Sequence, residues 1–167
     1  KDFTVLIAQE YTMAEPRVHL NIYGLRENIN PHNYTPEIPL ESDAFDSLFL
    51  NVSDMIKYVK DKGGYVTVNH YSQIGKDDRE LYSWENFRDW GVDGFELINE
   101  DNIQFDITAT EDSKNLTKFC KDNNLIMIGG SDTHEGADLT TVIKLRLDDI
   151  NNKSLDAIFN ALRRGDH

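Results

Sequence analysis

Cysteine is almost absent from this 167-residue chain, where Cys120 stands alone. No intrachain disulfide can form, and a zinc ribbon built on paired cysteines is excluded. No apolar run approaches the ~20 residues that cross a bilayer as a helix. Basic residues are few beside acidic ones, 17 Lys and Arg against 30 Asp and Glu, for a formal charge of -13. Such a surface disfavours nucleic acid and anionic membrane as main partners. Acidity has one local use that runs the other way, which is to gather carboxylates around cations. The Gly-Gly pairs lack both a following Lys-Ser/Thr and a G-x-G-x-x-G frame, so no phosphate loop or dinucleotide fingerprint is present. There is also no initiator Met, since the chain opens Lys1-Asp2. The expectation is a processed chain or an internal piece of a longer protein, soluble, with cytoplasmic and exported locations both open.

What is present is enough apolar sequence for one core, cut into short blocks. Phe3 to Ala8 is a nearly continuous apolar run and predicts a buried strand. Val18 to Tyr23 alternates, stops at Gly24, and predicts a second. Residues 26–52 hold Pro31, Pro36 and Pro39 of the four prolines and read as a loop insertion. Ser53 is expected to cap a helix that Gly63-Gly64 stops. Beyond it come a strand Tyr65–Asn69, a short helix Trp84–Trp90 between Ser83 and Gly91, and a strand Val92–Ile98. A helix Asp112–Asn123, strands Leu125–Ile128 and Val142–Leu147, and a helix from Ser154 to Arg164 complete the reading. Strands alternating with helices, and too apolar for a half-exposed sheet, predict a parallel α/β protein, barrel or open sheet, as one domain over 1–167.

In both architectures functional side chains collect at the carboxyl ends of strands. Glu10 follows the first predicted strand, His70 ends the Tyr65–Asn69 strand, and Glu96 and Asn99 lie at the end of Val92–Ile98. Asp132 and His134 follow Leu125–Ile128 through a Gly-Gly-Ser turn. Most are His, Asp or Glu, the ligand types for zinc, manganese or iron. His19 lies inside a strand and Arg17 close by could meet an anionic substrate. His32 and His167 read as solvated surface, Trp84 and Trp90 as core, and Cys120 as a small buried hydrophobe.

Five blocks together carry a likeness: I-A-Q-E-Y-T ending at Thr12, V-H-L-N-I-Y-G at 18–24, G-G-Y-V-T-V-N-H at 63–70, G-V-D-G-F-E-L at 91–97 and G-G-S-D-T-H at 129–134. They resemble the PHP (polymerase and histidinol phosphatase) domain superfamily, and the second block is similar to its CehA/McbA-type branch. The resemblance implies a distorted (β/α)7 TIM-like barrel, incomplete here because the family's opening H-x-H strand and about four of its ligands have no counterpart. It implies a cluster of up to three divalent ions (Zn, Mn or Fe), with Glu10, His19, His70, Asp132 and His134 as ligands. His70, Asp132 and His134 would stand at the chemical step. Glu96, Asn99 and Arg17 would support the ligands or the substrate. The implied activity, for the complete protein, is metal-assisted hydrolysis of a small-molecule phosphate ester; this piece alone is expected to be weak or inactive, because an ion holding only half its ligands binds loosely. Two other readings stand beside it: hydrolysis of carboxylic or carbamate esters at the same centre, and a non-catalytic binding or regulatory domain. The oligomeric state is left open by the sequence.

Overall fold

Alternation of apolar and polar residues builds the first sheet of the computed structural model. The structure describes residues 4–13, 18–31, 48–49, 51–99, 111–132, 143–149 and 151–165. They fall into two compact units, Val5–Asp93 and Gly94–His167, the latter joined by the first residues of the chain.

In the Val5–Asp93 unit, β1 (Ala8–Met13) runs antiparallel to β2 (Val18–Tyr23), with Glu10 opposite Asn21 and Thr12 opposite His19. A two-residue parallel contact joins β3 (Asn30–Pro31) to β4 (Leu48–Phe49). Helix α1 (Val52–Asp61) leads into β5 (Tyr65–Val68), which returns antiparallel to β2 with Leu20 opposite Val68 and Asn21 opposite Thr67. Paired residues share a face of a sheet. One face therefore collects Tyr11, Met13, Val18, Leu20, Ile22, Val66 and Val68, all buried. The other collects Glu10, Thr12, His19, Asn21 and Thr67.

The buried stripe of α1 is Val52, Met55, Ile56 and Val59, the spacing of one helical face, and α1 packs on β5. Each such side chain contributes roughly 1.5–3 kcal/mol on burial. Its cap is Asn51, whose side chain accepts from the Asp54 N–H at 2.8 Å, and not the expected Ser53, whose hydroxyl donates to Asn51. Ser83 caps α2 (Trp84–Trp90) as expected, and Gly91 ends it at φ 99°, a conformation that favours glycine. Phe87 sits at the centre of the rings of Tyr71, Tyr82 and Trp90. Beyond α2, the buried Asp93 carboxylate accepts from Lys60 Nζ at 2.6 Å and from the Val66 N–H at 2.8 Å. At the sheet's edge the Gln9 amide both donates to and accepts from the backbone of buried Ile29.

In the other unit, β6 (Gly94–Asn99) and β7 (Ile126–Gly130) are parallel, and α3 (Glu111–Asp122) packs on both. Leu116 and Cys120 of α3 are buried, and burial pushes the Cys120 thiol up to about 12. Helix α4 (Leu155–Arg164), capped by Ser154, lies against β7 and buries Phe159, Ala161 and Leu162, with Ile158 only half-buried.

These findings correct several expectations. A (β/α)7 barrel needs parallel neighbours and a closed ring. Here β1–β2 and β2–β5 are antiparallel, and β1 pairs on one side only among the described residues. The described strands make a mixed, open α/β arrangement instead. The physical reason is connection length, because only residues 14–17 separate β1 from β2, whereas a parallel crossover needs about a dozen. The first strand is Ala8–Met13 and not Phe3–Ala8, and Val5 and Ile7 are exposed. Residues 143–147 take no regular structure, with Ile143, Lys144 and Arg146 all exposed. Of the 26–52 insertion, residues 32–47 and 50 lie outside the described residues.

Candidate metal centre

Glu10, His19 and His70 come together on the polar face of the β1–β2–β5 sheet. Glu10 pairs with Asn21, and His19, two residues before Asn21, is its diagonal neighbour. That separation is within reach of long side chains. The Asn69 N–H donates to the His19 carbonyl at 2.9 Å, which carries the ladder one residue past β5. Strict alternation would then send residue 70 to the apolar face. His70 instead adopts φ 23° and ψ 58°, a left-handed conformation uncommon outside glycine, at the entry to a 3₁₀ turn over Tyr71–Gln73. The twist brings its imidazole back to the polar side.

Glu10 Oε1 is the meeting point. It lies 3.0 Å from His19 Nδ1, 3.7 Å from His70 Nε2 and 3.4 Å from Asn69 Nδ2. The two imidazoles meet edge to face with centroids 4.6 Å apart. Exposure is graded, at 37% for the Glu10 side chain, 23% for His19 and 3% for His70, so the centre opens to solvent from the Glu10 side. The hydrogen bond from His19, then that from His70, hold the Glu10 carboxyl well below the usual carboxylate range, with burial opposing and Asn69 adding to the effect.

Two imidazoles and a carboxylate form a donor set suited to Zn, Mn or Fe. One ligand atom from each of the three residues lies within 4.8 Å of the others. Metal–ligand bonds of about 2.0–2.2 Å place neighbouring ligands roughly 3.3 Å apart, close to the separations measured from Glu10. The three residues could hold one divalent ion.

The remaining expected residues are placed differently. Glu10 stands mid-strand and not past a strand end, since β1 runs on to Met13. Asp132 does follow β7, in a left-handed conformation at φ 51°, and belongs to the Gly94–His167 unit. His134, Arg17, His32 and His167 lie outside the described residues. Glu96 and Asn99 are both buried in β6, and Asn99 Nδ2 donates to Glu96 Oε2 at 3.1 Å. Gly130 leaves the space beside them, since a β-carbon there would collide with Glu96 Oε1. Asn69 was not singled out from the sequence. Its signal is its place immediately before a histidine that ends a strand, in the same alternation as Thr67. In comparisons with known proteins, no family model matches the chain and no curated protein matches it.

Proposed function

We propose that the complete protein is a metal-dependent hydrolase, a phosphoesterase, and that Glu10, His19 and His70 of this chain help to hold a divalent ion of zinc, manganese or iron in it. The observation that carries the reading is the convergence of two imidazoles on one carboxylate oxygen, on the polar face of the β1–β2–β5 sheet. The phosphate-ester substrate follows from the likeness of five sequence blocks to the PHP superfamily. When bound, the ion supplies Lewis-acid chemistry, lowering the pKa of a coordinated water toward about 7 and offsetting charge on phosphoryl oxygens. The chain's own residues do the rest. Glu10 and the two histidines would hold the ion, and the exposure of Glu10 would leave it reachable from solvent. Glu10 and His19, more exposed than His70, border the side from which a substrate would arrive. His70, almost fully buried, is held in one orientation.

The test starts from chain stripped with a chelator and reloaded with Zn²⁺, Mn²⁺ or Fe²⁺. About one ion per chain is expected by elemental analysis, with weak metal-dependent release of nitrophenol, greater from 4-nitrophenyl phosphate than from 4-nitrophenyl acetate. His70→Ala should remove both the ion and the turnover. Equal metal content in wild type and His70→Ala would overturn the metal centre. Turnover of the acetate alone would replace phosphate esters by carboxylic esters.

A further inference from the structure

We propose that Asn69 is the positioning residue of this centre, and that its side-chain amide oxygen Oδ1 accepts a hydrogen bond from a water or hydroxyl group brought into it. The inference rests on the metal-centre reading and adds to it. Asn69 is attached to all three ligand residues: its side-chain amide donates to Glu10 Oε1, its backbone N–H donates to the His19 carbonyl, and the peptide bond joins it to His70. No other described residue has that set of attachments. A carboxylate has no proton to give, so the amide nitrogen must face Glu10 and the amide oxygen must face away. That oxygen, Oδ1, is buried and has no hydrogen-bond partner among the described residues, and the whole residue is 5% exposed.

Native proteins rarely leave a buried amide oxygen unpaired. As an acceptor only, it selects a donor such as water or a hydroxyl and excludes an anionic oxygen. Thr67, two residues back and on the same sheet face, has a hydroxyl that is likewise buried and without a hydrogen-bond partner among the described residues. Two such oxygens in succession on the face that carries Glu10 and His19 mark a polar subsite beside the ion. Carboxylate and imidazole ligands are commonly fixed by a partner of this kind, and its loss weakens metal binding.

The experiment titrates Co²⁺ into wild type, Glu10→Ala, Asn69→Ala and Asn69→Leu, reading affinity and the visible absorption bands, with circular dichroism of each apo protein as the fold control. Wild type should bind and Glu10→Ala should not. Both Asn69 variants should keep the apo fold, bind Co²⁺ about 10- to 100-fold more weakly, and show shifted bands from a reoriented carboxylate. If wild type and Glu10→Ala bind alike, the metal centre itself fails. If Glu10→Ala loses binding while both Asn69 variants match wild type in affinity and spectrum, only the role of Asn69 fails. Should the variants not fold, the side-chain amide resonance of Asn69 in ¹⁵N-labelled wild type decides. A shift that saturates as Zn²⁺ fills the site supports the proposal, and an unmoved resonance overturns it.

Discussion

The two faces of the β1–β2–β5 sheet come from the same strands, one residue out of step, and they serve different ends. One face is Tyr11, Leu20, Val68 and their neighbours, closed to solvent. The other carries Glu10, His19 and Asn69 and opens toward solvent at Glu10. Since successive side chains point to opposite sides, adjacent residues such as His19 and Leu20 belong to different functions. Stability and chemistry are therefore separable along a single strand.

That separation can be broken most sharply at the His19–Leu20 pair. Leu20→Ala should destabilise the fold by about 2–5 kcal/mol in a denaturant titration, because it empties a fully buried site. His19→Ala should leave apo stability within about 1 kcal/mol while removing tight metal binding. Loss of stability in both would show that the faces are not independent. A smaller effect concerns acid. The Glu10 carboxyl titrates below its ordinary value of 4.5 in the fold, so its contacts stabilise the native state above that pH, and this contribution is lost as the pH falls further. Apo Glu10→Gln should consequently lose less stability than wild type between about pH 5 and pH 3 in thermal unfolding. The smallest change is expected at Thr12, exposed on the polar face beyond the centre. Thr12→Ala should alter stability by no more than about 0.5 kcal/mol and leave metal affinity unchanged.

Much of the element order was legible in the sequence, because it rests on local chemistry. Ser83 and Ser154 cap helices, Gly91 and Gly165 end them in left-handed conformations, and the apolar block before Gly129 is a strand. Strand direction was not legible in the same way. The apolar run Val5-Leu6-Ile7-Ala8 outweighed the weaker alternation of Gln9 to Met13, which put the first strand too early and placed Glu10 past an end it does not have. The short interval before Val18 carried the correct signal, since it allows only an antiparallel return. Of the expected ligands, His19 and His70 join Glu10. The backbone twist at His70 that makes this possible has no pattern in sequence, because nothing local in Asn69-His70-Tyr71 demands φ 23°. The pairing of Glu96 with Asn99 was also hidden, as a buried carboxylate and a ligand carboxylate look alike until their partners are known.

The Asp93 carboxylate has a further consequence, for time. Its bonds to Lys60 and Val66 close loops of 33 and 27 residues, so they form only once α1, β5 and the exit from α2 have met. The Val66 amide proton, bonded to a buried acceptor in a strand closed to water, cannot trade with solvent through fraying at the sheet edge. Its exchange with deuterium is expected to follow the opening of the whole Val5–Asp93 unit, which makes that one proton a clock for how often the unit comes apart.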